Sequence, residues 1–142
     1  MPPPIASTST KSNRRPALTD KLALLMWAAR ADRPELCVTP LIHALAARAL
    51  DCEVEIHFAG PAVRLLVEGV ADGLFATSAQ EKSIGEFLRE VAAENVSLFS
   101  CSMAKAAWIS ADETLIPECS GAAGATAFVA RTLDPAWRTL VF

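Results

Sequence analysis

The chain is predicted to fold as an α/β three-layer sandwich, a mostly parallel sheet of about five strands with helices on both faces. Three observations predict it. Strand-length apolar runs alternate with segments of helical period from residue 21 to the end, and strand-helix-strand alternation calls for a parallel sheet covered on both faces. Capping and turn residues fall between those segments. The 142 residues are 52% hydrophobic and 20% charged, enough to bury one domain's core without disulfides or a metal.

Lys21 to Ala28 reads Lys-Leu-Ala-Leu-Leu-Met-Trp-Ala, an apolar run whose place in the order makes it a buried strand. Arg33-Pro34-Glu35 breaks the chain, and Thr39-Pro40 supplies an N-cap and a first-turn proline. Leu41, Ile42, Leu45, Ala46 and Ala49 then mark an amphipathic helix over 40–50. From Cys52 to Ala59, Val54, Ile56 and Phe58 alternate with Glu53, Glu55 and His57. That is a strand with one less-buried face, expected towards a sheet edge.

Gly60-Pro61 opens a short helix carrying Val63, Leu66, Val67 and Val70. Ser83 and Glu86 have capping-box spacing, and Ile84, Phe87, Leu88, Val91 and Ala92 form the stripe of the clearest helix, stopping at Asn95. The central run Val96 to Cys101 is a strand, and 103–109 a helix. Asp112 to Glu118 is a loop or very short strand. Ser120 is expected to cap a last helix through Arg131, with Gly121 and Gly124 weakening its first turn. Asp134-Pro135 turns the chain into a final strand, Trp137 to Phe142.

Met1 to Thr19 is rich in Pro, Ser and Thr, carries Lys11, Arg14 and Arg15, and has no acid. It lacks the apolar centre of a secretory signal and the amphipathic helix of a transit peptide, so it reads as a disordered tail ahead of a 20–142 domain. Without those three positive charges the net charge moves from −3 to −6, which argues against nucleic acid as a partner. Arg30, Arg48, Arg64 and Glu68 interrupt every apolar stretch, so no membrane span is expected.

Chemistry narrows to the cysteines. Cys37, Cys52, Cys101 and Cys119 show neither CxxC nor a zinc-like Cys/His spacing, and His43 and His57 have no partner at ligand spacing, so no metal is expected. No nucleophilic serine motif or phosphate-cradling glycine loop is present, and no cofactor is implied. Cys37 and Cys52 read as packing residues. Cys101 stands where a strand passes into the small-residue stretch Ser102-Met103-Ala104-Lys105. In such sheets chemistry collects at the carboxyl ends of strands, and helix-start amides favour a thiolate, so Cys101 is the candidate nucleophile. Ala59-Gly60 and Ala29-Arg30 are expected at the same edge. Lys105, one turn on, is a candidate thiolate stabiliser. Cys119, after Pro117-Glu118, is expected to face that edge too, as a second thiol.

Leu98-Phe99-Ser100-Cys101-Ser102-Met103, followed by Leu115-Ile116-Pro117-Glu118, Gly121 to Thr126 and the terminal strand, resembles the DsrE/DsrF-like family of sulfur-trafficking proteins over about residues 20 to 142. The resemblance implies an α/β sandwich, a cytoplasmic homotrimer or hexamer, and a cysteine that carries sulfane sulfur as a persulfide. Cys101 is the residue that matches. It implies sulfurtransferase or sulfur-carrier activity, with TusA-like or rhodanese-like proteins as sulfur donor and acceptor. Two other readings of the residues stay open: a dithiol redox enzyme using Cys101 and Cys119, and a non-catalytic assembly subunit whose cysteines only pack.

Overall fold

The structure, a computed structural model, describes residues 20–142; the Met1 to Thr19 tail lies outside them. Five strands, β1 (Lys21–Met26), β2 (Glu53–Phe58), β3 (Ser97–Ser100), β4 (Cys119–Ala122) and β5 (Trp137–Val141), form one sheet in the order β4-β3-β2-β1-β5. Every pairing is parallel. Helices α1 (Val38–Ala49) and α2 (Ile84–Ala93) pack together on one face, α4 (Ala125–Leu133) lies on the other against β5 and β1, and α3 (Ser102–Trp108) leaves the carboxyl end of β3. The predicted fold class is the observed one, with the sheet wholly parallel.

Period two divides the side chains of each strand between the layers. Leu24, Met26, Val54, Ile56, Phe58 and Leu98 point towards α1 and α2, where Leu41, Ala44, Ile84, Leu88 and Val91 complete the main core. Ser83 caps α2 as its spacing predicts, its hydroxyl accepting the Glu86 N–H at 3.1 Å. Asn95, at φ 63°, takes the left-handed turn just past the C-cap. Gly85 lets α2 lie against the Asp72 backbone: a Cβ there would stand 2.9 Å from Asp72 N and 3.0 Å from its Cα.

Several elements differ from the sequence expectation. The segment after Gly60-Pro61 is a 3₁₀ helix, Gly60–Leu66, with a second short one at Ala71–Gly73. Helix α1 starts at Val38 with Cys37 as N-cap, two residues ahead of the expected Thr39 cap. β2 is the central strand, not an edge strand; Glu55 and His57 on its polar face are buried, with α4 bringing Arg131 to Glu55. The expected helix from Ser120 begins only at Ala125, with Gly124 as N-cap. Residues 119–122 instead extend the sheet, and a register shift between Leu98 and Phe99 is accommodated by Gly121 at φ 147°. There the Ser120 hydroxyl accepts the Leu98 N–H at 3.1 Å, standing in for a backbone carbonyl.

Candidate functional site

Cys101 is the N-cap of α3, one residue past β3, with extended backbone. Its N–H donates to the Phe58 carbonyl at 2.9 Å and its own carbonyl accepts the Lys105 N–H at 2.8 Å. The first bond ties the residue to the end of the central strand, the second to the first turn of the helix, so the side chain's origin is fixed from both sides. Cys101 is half-buried. Its thiol lines a cavity of about 200 Å³ at the carboxyl edge of the sheet.

That cavity lies on the α4 face. Leu25, His57 and Ala59 contribute from the sheet, Phe128 and Val129 from α4, and the small residues 123–125 leave the space open between them. The walls are overwhelmingly apolar. His57 is the exception. It is 4% exposed and Glu55 5%, and the two rows of the register put them on the same face as Cys101: His57 pairs with Phe99, and Cys101 follows two residues after Phe99.

Glu55 and His57 form a buried polar chain. His57 Nε2 lies 3.0 Å from Glu55 Oε1, which fixes that nitrogen as the donor to the carboxylate. Arg131 from α4 donates to the same carboxylate, Nε to Oε1 at 2.7 Å and a terminal nitrogen to Oε2 at 3.4 Å, while its guanidinium covers the Trp137 ring at 4.0 Å. Phe99 and Phe128 flank the imidazole at centroid distances of 5.4 and 5.3 Å. His57 Nδ1 is left buried without a hydrogen-bond partner among the described residues. This cluster went unread in the sequence. The signal was the alternation Glu53, Glu55, His57 in a strand flanked on each side by a crossover helix, a position that buries both faces.

The other candidate residues fall elsewhere. Cys119 does not reach the carboxyl edge. It begins β4 opposite Leu98, three residues before Cys101, and it packs against the α1/α2 core. At about 3.3 Å per residue the two sites are separated by about 10 Å along the strands, beyond the roughly 7 Å Cα reach of a disulfide. The redox pairing of Cys101 and Cys119 is therefore incompatible with this sheet. The expected position failed because residues 119–122 became a strand, which turned the segment's start towards the opposite end. Lys105 is exposed on α3, and its side chain makes no ion pair among the described residues. Cys37 is buried and Cys52 packs at the core's margin. Ala29 and Arg30 do follow the carboxyl end of β1. Among the described residues no group of three or more His, Cys, Asp or Glu side chains could hold a metal ion, and no helix is long and apolar enough to cross a membrane.

Comparison with known proteins agrees with this architecture. The structure is similar to the ychN protein from E. coli, with a TM-score of 0.67 at 16% identity over 87% of this chain and 98% of that one. It is also similar to MTH1491 from Methanobacterium thermoautotrophicum, described as a protein of unknown function, with a TM-score of 0.57 at 13% identity over 86% and 98% of the two chains. At such identities the likeness is one of fold. No curated protein gives a significant match. The model of the DsrE/DsrF-like family matches residues 23–142, nearly the whole chain, and the protein belongs to that family.

Proposed function

We propose that this protein is a sulfurtransferase or sulfur carrier that relays sulfane sulfur as a persulfide on Cys101. The observation that carries the reading is the half-buried Cys101 thiol, anchored at the end of β3 and opening into an apolar cavity. Family membership supports it. Sulfane sulfur is large, polarizable and weakly hydrated, so an apolar wall suits it better than open water does. The partners in this reading are small TusA-like or rhodanese-like proteins, and the working form is a cytoplasmic homotrimer or hexamer.

The chemistry needs few groups. The Cys101 thiolate attacks the outer sulfur of a donor persulfide, R–S–S–H. The donor's S–S bond breaks, its inner sulfur leaves as a thiolate, and Cys101–S–S–H results. An acceptor thiolate then attacks that outer sulfur and Cys101 departs as thiolate. Each step exchanges one S–S bond for another with no net oxidation, so no metal and no electron carrier enters the balance.

Exposure of the protein to inorganic polysulfide, followed by peptide mass spectrometry, is expected to show one added sulfur atom on Cys101. The modification should vanish in Cys101→Ser and persist in Cys119→Ser. Wild-type Cys101 that gains no sulfur while other cysteines do would rule the reading out.

A further inference from the structure

The feature that the relay chemistry leaves unused is the bare His57 Nδ1. Glu55 takes the Nε2 hydrogen and is itself held by Arg131, and in the tautomer that donates from Nε2 the other ring nitrogen, Nδ1, carries the acceptor lone pair. A buried acceptor without a partner is uncommon in folded proteins, and this one belongs to a residue that lines the same cavity as Cys101. No hydrogen bond joins the resting Cys101 Sγ to it. An added sulfur extends the side chain by one S–S bond, about 2.05 Å, on the face of the sheet that His57 occupies.

We infer that His57 Nδ1 accepts the hydrogen of the outer sulfur when Cys101 carries a persulfide, making the cavity a holding site for sulfane sulfur rather than for the free thiol. The inference rests on the reading of Cys101 as a persulfide carrier. The atoms balance throughout. Loading leaves Cys101–S–S–H with its hydrogen directed at Nδ1, and discharge sends that hydrogen away on the acceptor's new persulfide while Cys101 leaves as thiolate. The titratable and charged groups around the site are Glu55, which bonds the imidazole from its own strand, Arg131 on α4, which holds Glu55, and Cys101 after β3, which lines the same cavity. β1 adds the uncharged Leu25, and Phe99 and Phe128 complete the surround. The carboxylate thus orients the ring in the manner of an Asp-His pair, but its object is a sulfur that is present only in the loaded state.

Two measurements on the full chain test this. With ¹⁵N-labelled histidine, loading by inorganic polysulfide is expected to move the His57 Nδ1 resonance and leave those of His43 in place, with no change in Cys101→Ser treated alike. Separately, His57→Gln puts an amide where Nε2 lies and removes Nδ1, whereas His57→Asn keeps a polar atom near Nδ1. The Cys101 persulfide should decay about fivefold faster in the Gln variant, the scale of one ordinary hydrogen bond, and more slowly again in the Asn variant. Alkylation of unloaded Cys101 should stay near wild type in both. A loaded wild-type protein whose Nδ1 resonance does not move overturns the inference and leaves the carrier reading standing. Wild-type Cys101 that takes up no sulfur overturns both.

Discussion

Cys37 and Cys101 carry the same thiol in opposite settings, and the difference decides which can react. Cys37 is fully buried between β1 and α1, its sulfur donating to the carbonyls of Arg30 at 3.5 Å and Arg33 at 3.6 Å. Burial, with Glu35 and Asp32 nearby, pushes its thiol up to about 12. At pH 8 almost none of it is thiolate, and the thiolate is the nucleophile. Iodoacetamide at pH 8 is therefore expected to label Cys101 in the native protein and spare Cys37, which should react only after denaturation. Equal native labelling rates, read peptide by peptide, would show that burial does not govern thiol reactivity here. The sequence made this distinction legible, since Cys37 lay in an extended lead-in before a helix and Cys101 at a strand exit. It did not disclose Arg131, because a partner 76 residues from Glu55 leaves no local periodicity to read.

At the scale of elements, α3 must be held in place for Cys101 to face the cavity, and the 3₁₀ helix Gly60–Leu66 does that. Arg64 donates to the Trp108 carbonyl at 2.8 Å, satisfying the last turn of α3, and grips both oxygens of Glu113 at 2.9 Å. The Arg64 guanidinium, helped by the Ser110 N–H and hydroxyl, holds the Glu113 carboxyl down from 4.5 to about 2. A carboxylate whose value falls on folding adds stability above its unfolded value and loses it as pH falls through the folded one. The clamp's contribution is thus present above pH 4.5 and is lost as pH falls through about 2. Amide exchange over residues 109–116, as a ratio of wild type to Glu113→Gln at each pH, should show slower exchange in wild type at pH 4.5 and a difference that narrows as pH falls towards 2. A ratio that is flat across that window would remove the clamp from the account. Elements with a strong period were readable from sequence: α2 has its cap, stripe and stop in one stretch. β4 was not, because Cys-Ser-Gly-Ala has neither alternation nor apolar bulk, and only the free edge of β3 makes a strand of it.

Across the whole molecule the two faces of the sheet are unequally covered, which bears on the proposed homo-oligomer. The α1/α2 face holds the continuous core. The other face has one helix, α4, in which no residue is fully buried, and apolar side chains stand in the open on it and beside it: Leu133 is 77% exposed and Val129 51% on α4, Val141 57% and Trp27 53% next to it. Exposed apolar side chains gathered on one face are what a contact surface would use. Val129 also lines the cavity with Cys101, so copies meeting through α4 would narrow the route by which water reaches the sulfur while the α3 side stays open to a partner protein. Sedimentation velocity at micromolar concentration is expected to give a trimer or hexamer for the wild type. Leu133→Glu should shift it towards monomer with little loss of thermal stability, because an exposed side chain contributes almost nothing to the monomer's own core. A wild type that sediments as a monomer, or a Leu133→Glu variant that assembles unchanged, would move the contact off this face. The Cys101 persulfide should also discharge to small thiols faster in the monomeric variant than in the assembled protein, since an assembly through α4 would shield the cavity on that side.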